Sequence, residues 1–275
     1  MAISIARAAT NDIANNLLAA DEPAAITVHN AKGLSPFLIV VDHAGNLSPR
    51  KLGRLGVLES EWERHIAWDL GIAAVARFLA DAMDATLVQQ NYSRLIIDCN
   101  RSPGSETSIP EISELTQIPA NIGLNEAEKS ERVREIFLPY HDRIEAELNR
   151  RRRAGQPTAL IAMHSFTPVF LGATRPWHIG VLYNRDPRFA EVLMDLLNRE
   201  AGLVVGDNEP YSVSDASDYT IPVHGEGRGL IHVEIEIRQD LIADETGRQR
   251  WSALLARLLP KAYQALVQSS GTKAG

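Results

Sequence analysis

Hydrophobic residues along the chain follow two alternating patterns. Short runs of β-branched and aliphatic residues are separated by longer segments in which apolar residues return every three to four positions. Uninterrupted apolar runs are typical of strands buried on both faces, and the helical segments between them indicate crossover connections. We therefore predict an α/β fold in three layers, with a mostly parallel central sheet and helices on both faces. The predicted strands are Phe37–Val41, Thr86–Gln89, Leu95–Asp98, Ala159–Met163, Ile179–Leu182, Leu203–Val205 and Ile231–Ile237.

The helical segments between these strands differ in length. An apolar residue at every fourth position over residues 62–78 predicts one amphipathic helix that begins near Ser60. A second long helix is predicted over Asn125–Arg153, with a kink at Pro139 because proline lacks a backbone donor. Further helices are predicted over Pro187–Ala201 and Arg248–Leu266.

Two polar segments stand apart from this pattern. Residues 99–123 are rich in Pro, Ser, Gly and Glu and have little periodicity, so they are predicted to form a long loop or lid. The basic run at residues 150–153 ends a predicted helix and is expected to lie in solvent. We predict one domain over residues 1–275.

The charge balance and the cysteine content narrow the classes of partner. The chain has 28 Lys and Arg against 35 Asp and Glu, a net charge of −7 that disfavours a nucleic-acid ligand. Cys99 is the single cysteine, as expected in a reducing compartment. Neither a secretory pattern over residues 1–23 nor a run of about 18 uncharged apolar residues is present. We expect a cytoplasmic protein without a membrane partner, and the sequence indicates no particular oligomeric state.

Two histidines lie where the ligands of parallel sheets collect. His43 closely follows the apolar run 37–41, and His164 directly follows the run 159–163. Because the carboxyl ends of parallel strands meet at one edge, both imidazoles can converge on one ion, and neutral imidazole is a good zinc ligand. Each histidine alone is as typical of a hydrogen-bonded structural residue. The pair predicts a site for Zn²⁺ or another divalent metal.

A catalytic zinc usually has a third protein ligand and one open position for water. Glu63 is the preferred candidate, although Ser60 and Glu63 also have the spacing of a helix capping box. His65 and Asp69 lie one helical turn apart and are alternatives, unless they form a pair with each other. The sequence leaves these options open.

The segment over residues 232–238 alternates polar and apolar residues, so Glu234, Glu236 and Arg238 share one face of a strand. Buried carboxylates are costly unless they are paired, bound to metal or used in catalysis. Glu236, nearer the carboxyl end, is the predicted general base that takes a proton from the zinc-bound water. An ion pair with Arg238 or another arginine is the competing interpretation, above all for Glu234.

Arginines near the third predicted strand are candidates for substrate binding. Arg101 with Asn100 could hold a substrate carboxylate, since a guanidinium presents a planar fork to a carboxylate. Arg94 could do the same, or could pair with Asp98. Arg238 and His224 are further candidates, as donors to a developing oxyanion. No P-loop, dinucleotide fingerprint or nucleophile elbow accompanies these residues, which disfavours nucleotide chemistry.

Taken together, four segments resemble the N-formylglutamate amidohydrolase family in their order and spacing, and the resemblance spans roughly residues 35–265. The segments are ValAspHisAlaGly at 41–45, SerArgLeuIleIleAspCysAsnArg at 93–101, AlaMetHisSerPhe at 162–166 and GluIleArgGlnAspLeu at 236–241. The resemblance implies a phosphorylase/hydrolase-like α/β fold related to zinc carboxypeptidases and aminoacylases. It also implies hydrolysis of a small N-acyl amino acid such as N-formylglutamate, to formate and glutamate.

The family resemblance also implies roles for individual residues. Metal ligation falls on His43, Glu63 and His164, proton transfer on Glu236, and carboxylate binding on Arg101. The chain departs from related enzymes in two places. Asn46 stands where carboxypeptidases have the glutamate of their HxxE motif, and Asp42 stands where the typical family member has a proline. The acidic ligand and the acyl group therefore stay open, and a peptidoglycan or peptide amidase and a non-catalytic metal- or carboxylate-binding module are the alternative functions.

Overall fold

The computed structural model describes residues 16–271, so the interpretation of residues 1–23 falls largely outside the described residues. The assignment of the whole chain to one domain stays a prediction. The described residues form one large sheet and two short hairpins. The strands are β1 (Ile26–His29), β2 (Phe37–Val41), β3 (Thr86–Gln90), β4 (Ile112–Ser113), β5 (Thr116–Gln117), β6 (Ala159–Phe166), β7 (Val169–Phe170), β8 (Ala173–Thr174), β9 (Ile179–Leu182), β10 (Val205–Asp207) and β11 (Ile231–Arg238).

The large sheet has the order β1-β3-β2-β6-β11-β9-β10. Its centre, from β3 to β11, is parallel, while β1 runs antiparallel to β3 and β9 antiparallel to β11. Every residue of β2 and β6 is buried, as expected where layers cover both faces of a parallel sheet. The predicted mostly parallel sheet is confirmed.

Helices cover both faces of this sheet. They are α1 (Glu59–Trp62), α2 (Ile72–Met83), α3 (Glu126–Arg132), α4 (Leu138–Arg153), α5 (Arg188–Leu197) and α6 (Glu245–Gly271). Apolar side chains of α2, α5 and α6 form one core with one face of the sheet, and α4 packs with residues 92–97 in a second core on the other face. The three-layer α/β prediction is therefore confirmed. Within residues 16–271, no helix combines the length and apolarity needed to cross a membrane.

The long helix predicted over Asn125–Arg153 is built from three pieces. Asn125 caps α3 by accepting N–H groups from the first turn, and Glu128 completes a capping box. A π-helical turn over Val133–Phe137 joins α3 to α4, and Pro139 lies in the first turn of α4. Pro139 cannot donate to the preceding turn, and the π-helical turn, in which the Leu138 N–H donates to the Val133 carbonyl, lies directly before it.

The single helix predicted from Ser60 to Phe78 is wrong in its continuity. α1 ends at Trp62, residues 63–71 form turns, and α2 begins only at Ile72. Gly71 precedes α2 with a φ of 80°, and a Cβ at this position would come within 2.5 Å of the Ile242 carbonyl oxygen. The interruption brings Asp69 to the carboxyl edge of the sheet.

Two predicted strands need correction. Leu95–Asp98 is not a strand, because Ile96 donates its N–H to the Ser93 carbonyl and the chain turns there, although its apolar side chains are buried. The strand predicted over Leu203–Val205 begins at Val205 instead. β1 and the two hairpins were not predicted.

The basic run at the end of α4 is only partly in solvent. Arg152 and Arg153 are exposed, but the Arg151 side chain is fully buried. Its Nε donates to Glu147 at 2.8 Å, and its other nitrogens donate to the carbonyl oxygens of Ser35 and Phe37. Arg151 thereby ties α4 to the start of β2.

We expect Arg151→Met to lower the free energy of unfolding by about 2 kcal/mol, because Glu147 keeps Arg150 but the buried carbonyl oxygens of Ser35 and Phe37 lose a charged donor. Urea denaturation measures the change. Arg153→Met, in the exposed part of the same helix, is the matched control and should change stability little. Equal stability of the two variants would show that the buried pair contributes nothing.

Candidate functional site

The candidate site lies at the carboxyl edge of the central strands. His43 occupies the turn after β2, and His164 lies inside β6, beside Glu236 of β11 in the parallel register. The turn after His43 is tight because Gly45 packs on the Asn91 backbone, where a Cβ would come within 2.0 Å of a carbonyl oxygen. A cavity of about 780 Å³ opens at this edge and is lined by all three of His43, His164 and Glu236.

Asp69 joins the two histidines in a buried group. One nitrogen of each imidazole and a carboxylate oxygen of Asp69 lie within 4.8 Å of one another. Oδ2 of Asp69 is 3.0 Å from Nδ1 of His164 and 3.4 Å from Nδ1 of His43. Each of the three side chains is at most 4 % exposed. The predicted convergence of the two imidazoles is present in the structure.

A second carboxylate holds the far nitrogen of each imidazole. Nε2 of His43 lies 2.7 Å from Asp98, and Nε2 of His164 lies 3.0 Å from Asp42. Asp42 is fixed in turn by the Thr220 hydroxyl, which donates to it at 2.6 Å. Because a carboxylate accepts hydrogen bonds, these contacts favour a proton on each Nε2, and in that neutral tautomer each Nδ1 keeps a lone pair on the side of Asp69. This is the arrangement found around metal-bound histidines.

The electrostatics of the group favour a cation. Burial alone would raise the pKa of Asp42, Asp69 and Asp98, but the neighbouring imidazoles and, at Asp98, Arg94 outweigh it and hold all three carboxyls ionised, with the pKa of Asp42 at about 2. Burial opposes protonation of His43 and His164, yet the surrounding carboxylates raise the pKa of both imidazoles. Buried negative charge of this density requires compensation by protons or by a metal ion.

The donor set fits a zinc ion. Nδ1 of His43 is buried and has no hydrogen-bond partner among the described residues. With both rings neutral, two Nδ1 lone pairs would face one carboxylate oxygen, an arrangement that a shared cation stabilises. Two imidazole nitrogens and one carboxylate oxygen are also a common ligand set of catalytic zinc.

Glu63, the preferred acidic ligand from the sequence, does not belong to this group. It is exposed at the end of α1, whereas Asp69 supplies the carboxylate. The cause is the turn after α1, which breaks the helical register assumed for residues 60–78. His65, the other alternative, lines the cavity but lies outside the group, 3.5 Å from Glu114 of the β4–β5 hairpin.

Glu234 and Glu236 both line the cavity from β11. Each is buried, and each has one carboxylate oxygen without a hydrogen-bond partner in the described part of the chain. Burial raises the pKa of both to about 8. The competing interpretation was an ion pair with Arg238 or another arginine. Arg238 pairs with Asp240 instead, and within residues 16–271 neither carboxyl forms an ion pair with any arginine.

Three of the predicted substrate-binding residues line the same cavity: Arg94, Asn100 and Arg101. Arg94 donates to Asp98 through two nitrogens, at 2.7 and 3.0 Å. Asn100 accepts the N–H groups of Tyr219 and Thr220 and donates to Asp218, so its side chain mainly joins two loops. Arg101 uses Nη1 for protein acceptors and keeps the rest of its guanidinium near the cavity.

Arg238 and His224 lie elsewhere, and their prediction as site residues is corrected. Arg238 ends β11, where it pairs with Asp240 and donates to three backbone carbonyls of residues 175–177. His224 lies in a π-helical turn, in a second cavity, 2.9 Å from Nδ1 of His141. Burial lowers the pKa of His224 to about 3. Neither side chain lines the cavity of the two-histidine group.

Sequence reasoning missed the two outer carboxylates and ranked Asp69 below Glu63. Asp42 is adjacent to His43, and Asp98 begins the AspCysAsnArg segment, so both were visible as carboxylates at predicted strand ends. Part of the predicted 99–123 loop, from Thr107 to Glu114, also lines the cavity.

Comparisons with known proteins identify a family and similar folds. A family model for N-formylglutamate amidohydrolase matches residues 35–243. The crystal structure of a gene product of Agrobacterium tumefaciens is 38 % identical, with a TM-score of 0.89 over 91 % of this chain and 99 % of that one. The N-formylglutamate amidohydrolase of Ralstonia eutropha is 21 % identical, with a TM-score of 0.62 over 88 % and 98 % of the two chains, which shows a shared fold. Among curated protein sequences, no relative matches the chain.

Proposed function

Since the chain belongs to the N-formylglutamate amidohydrolase family, we propose that it hydrolyses the amide bond of a small N-acyl amino acid, with N-formylglutamate as the first substrate. The family makes the chain an amidohydrolase, which acts on carbon–nitrogen bonds other than peptide bonds. The identity of the substrate and the use of a metal ion are what we propose. One observation carries them: the buried group of His43, Asp69 and His164 adjoins a cavity that also contains Glu236 and Arg101.

In this proposal, His43 Nδ1, Asp69 and His164 Nδ1 hold Zn²⁺. A bound zinc ion lowers the pKa of a water molecule and polarises an amide carbonyl. Asp98 and Asp42 keep the two imidazoles in the ligating tautomer and orientation. All five side chains are buried.

Glu236 is the proposed general base. It lies beside His164 in the adjacent strand, and one of its carboxylate oxygens is free. Glu234 is the weaker candidate, because it lies beside Ala162, further from the carboxyl end of β11 than Glu236. Burial raises the pKa of both carboxyls to about 8, and at Glu236 the charge of Asp69 opposes ionisation while His164, Arg94 and Arg175 favour it. Glu236 can therefore take up a proton from water and return it to the leaving nitrogen.

Arg101 is the proposed partner of the substrate α-carboxylate. Of the guanidinium nitrogens of Arg101, only Nη1 donates to acceptors within residues 16–271. These are the Asn100 carbonyl oxygen at 2.9 Å and Asp218 at 3.4 Å. Its remaining N–H groups match a carboxylate in geometry and charge. Holding the carboxylate orients the neighbouring amide towards Glu236. The amide C–N bond then breaks, the water oxygen stays on the acyl group, and the nitrogen leaves with the proton from Glu236.

The test combines metal removal with a panel of substrates. Protein stripped by a chelator and reloaded with Zn²⁺ is assayed on N-formyl-, N-acetyl- and N-succinylglutamate and on a muramoyl-alanine amide. We expect turnover of the formyl substrate to disappear on chelation and to return with zinc. Full activity in the metal-free protein would overturn the proposed mechanism.

The remaining outcomes separate the alternative functions. Preferred cleavage of the muramoyl amide would identify a peptidoglycan amidase. Zinc binding without turnover of any acyl substrate would identify a non-catalytic module. Reloading with Co²⁺ and Mn²⁺ in parallel compares zinc with other divalent ions.

A further inference from the structure

Arg175 carries a buried charge next to the candidate site. It follows the β7–β8 hairpin and is only 8 % exposed. The structure gives it no carboxylate partner within residues 16–271. A buried charge without a partner is costly, so a guanidinium kept in this state needs another explanation.

Aromatic rings hold the guanidinium in place. Its Cζ lies 4.6 Å from the ring centroid of Phe170, 4.7 Å from that of Tyr211 and 5.9 Å from that of Phe166. Such contacts favour a cation over an aromatic face. Arg175 also donates to the Tyr211 hydroxyl oxygen at 2.8 Å. Arg175 is thus fixed behind Phe170 and Tyr211, both of which line the cavity.

The Tyr211 hydroxyl has an unused donor. Its oxygen accepts from Arg175, so its own proton must go to another acceptor. No such acceptor is recorded among the residues that the structure describes, and the tyrosine is 43 % exposed. A phenol that already accepts from a cation is a stronger donor. It is therefore available to an anionic group of a ligand in the cavity.

Charged groups on other walls of the cavity act on this hydroxyl. Burial raises the pKa of Tyr211, the negative charge of Glu236 raises it further, and Arg175 and Arg94 lower it. Tyr211 therefore lies within electrostatic range of the proposed base. It comes from the segment after β10, whereas Arg101 comes from the segment that follows Asp98. Tyr211 and Arg101 thus give the cavity two groups suited to negative oxygen atoms.

We propose that Tyr211, held by Arg175, binds the side-chain carboxylate of an N-acyl dicarboxylic amino acid and so distinguishes the acid from its neutral amide. This inference rests on the proposed function, and it assigns specificity to two residues outside the set predicted from the sequence. Tyr211 contacts the substrate, and Arg175 is its positioning residue. Arg101 binds the other carboxylate.

The experiment compares N-formylglutamate with its neutral isostere N-formylglutamine. Tyr211→Phe should lower kcat/KM for the acid by about tenfold to a hundredfold, the range expected for a lost hydrogen bond to a charged group. The amide carbonyl also accepts a hydrogen bond but carries no net charge, so its loss should be smaller and the preference for the acid should shrink. Arg175→Gln should also lower kcat/KM for the acid. Arg175→Lys should keep part of the preference for the acid because it keeps the charge.

A matched control removes the phenol hydroxyl of a tyrosine outside the cavity. Tyr263 lies on α6 and packs against Phe37 at the start of β2, outside the cavity, and Tyr263→Phe should leave the preference unchanged. An equal loss on both substrates in Tyr211→Phe would overturn the proposal, since a structural role does not distinguish acid from amide. Should Arg175→Gln fail to fold, Tyr211→Phe alone decides.

Failure of the proposed function is a distinguishable result. A zinc-loaded wild type that hydrolyses neither substrate contradicts that function, and calorimetry with glutamate and glutamine then tests the subsite directly. Tighter binding of glutamate in the wild type, lost in Tyr211→Phe, supports the proposal. Equal binding of the two amino acids by the wild type overturns it.

Discussion

Replacing Glu236 with glutamine is expected to lower kcat by about 10²- to 10⁴-fold, the contribution usual for a positioned general base. Glutamine has nearly the same shape but cannot take up a proton. Because Glu236 is not among the residues proposed to hold zinc, metal affinity should change little. Steady-state kinetics on N-formylglutamate, together with zinc titration of the variant, measure both effects.

Two further variants serve as controls. Glu63→Gln removes an exposed carboxylate outside the cavity and should leave kcat unchanged. Glu234→Gln should have a smaller effect than Glu236→Gln, because Glu234 lies beside Ala162 in β6, whereas Glu236 lies beside the proposed ligand His164. A larger loss in Glu234→Gln would move the role of base to Glu234 and contradict the assignment.

The central strands could be predicted because burial on both faces requires an uninterrupted run of apolar residues. β2 and β9 have the predicted bounds, and every residue in them is buried. The same runs placed His43 and His164 at the carboxyl edge, where parallel strands bring distant residues together. This part of the site follows from strand direction alone.

The third member of the group could not be predicted in the same way. Trp62 and Ile66 fit a helical period and are indeed buried, but Ile66 lies in a turn after α1. A turn can bury the same side chains as a helix, so periodicity did not distinguish the two. Gly71 was the available signal, since glycine favours the positive φ found there. With this break, Asp69 rather than Glu63 reaches the histidines.

Apolar content misled the prediction for Leu95–Asp98 in a related way. The three apolar residues are buried against the sheet, but they form a turn and not a strand. That turn still directs Asp98 towards His43 and places Arg101 at the cavity. The prediction also failed at the end of β11. The alternating pattern put Arg238 on the same face as Glu236, but the strand ends at Arg238, which pairs with Asp240. Pairing of this kind depends on tertiary contacts that one sequence does not reveal.

His164→Ala should weaken zinc binding more than any substitution of an outer carboxylate. The variant removes one of three proposed ligands and leaves Asp42 and Asp69 without their shared imidazole. Asp98→Asn keeps all three ligands and loses only the carboxylate that orients His43, for which a loss of about ten- to a hundredfold in metal affinity is usual. Competition with a chromophoric chelator measures both affinities.

The order of these effects is the informative result, because it separates ligands from the groups that orient them. Asp240→Asn is the matched control: Asp240 pairs with Arg238 outside the cavity, and its variant should bind zinc as the wild type does. If His164→Ala binds zinc as tightly as Asp240→Asn, the two imidazoles do not share an ion. Their raised pKa values would then reflect protonated rings that balance Asp42, Asp69 and Asp98. A group balanced by protons would lose that balance as the pH rises through the raised pKa values, whereas zinc binding to the same nitrogens strengthens as the rings lose their protons.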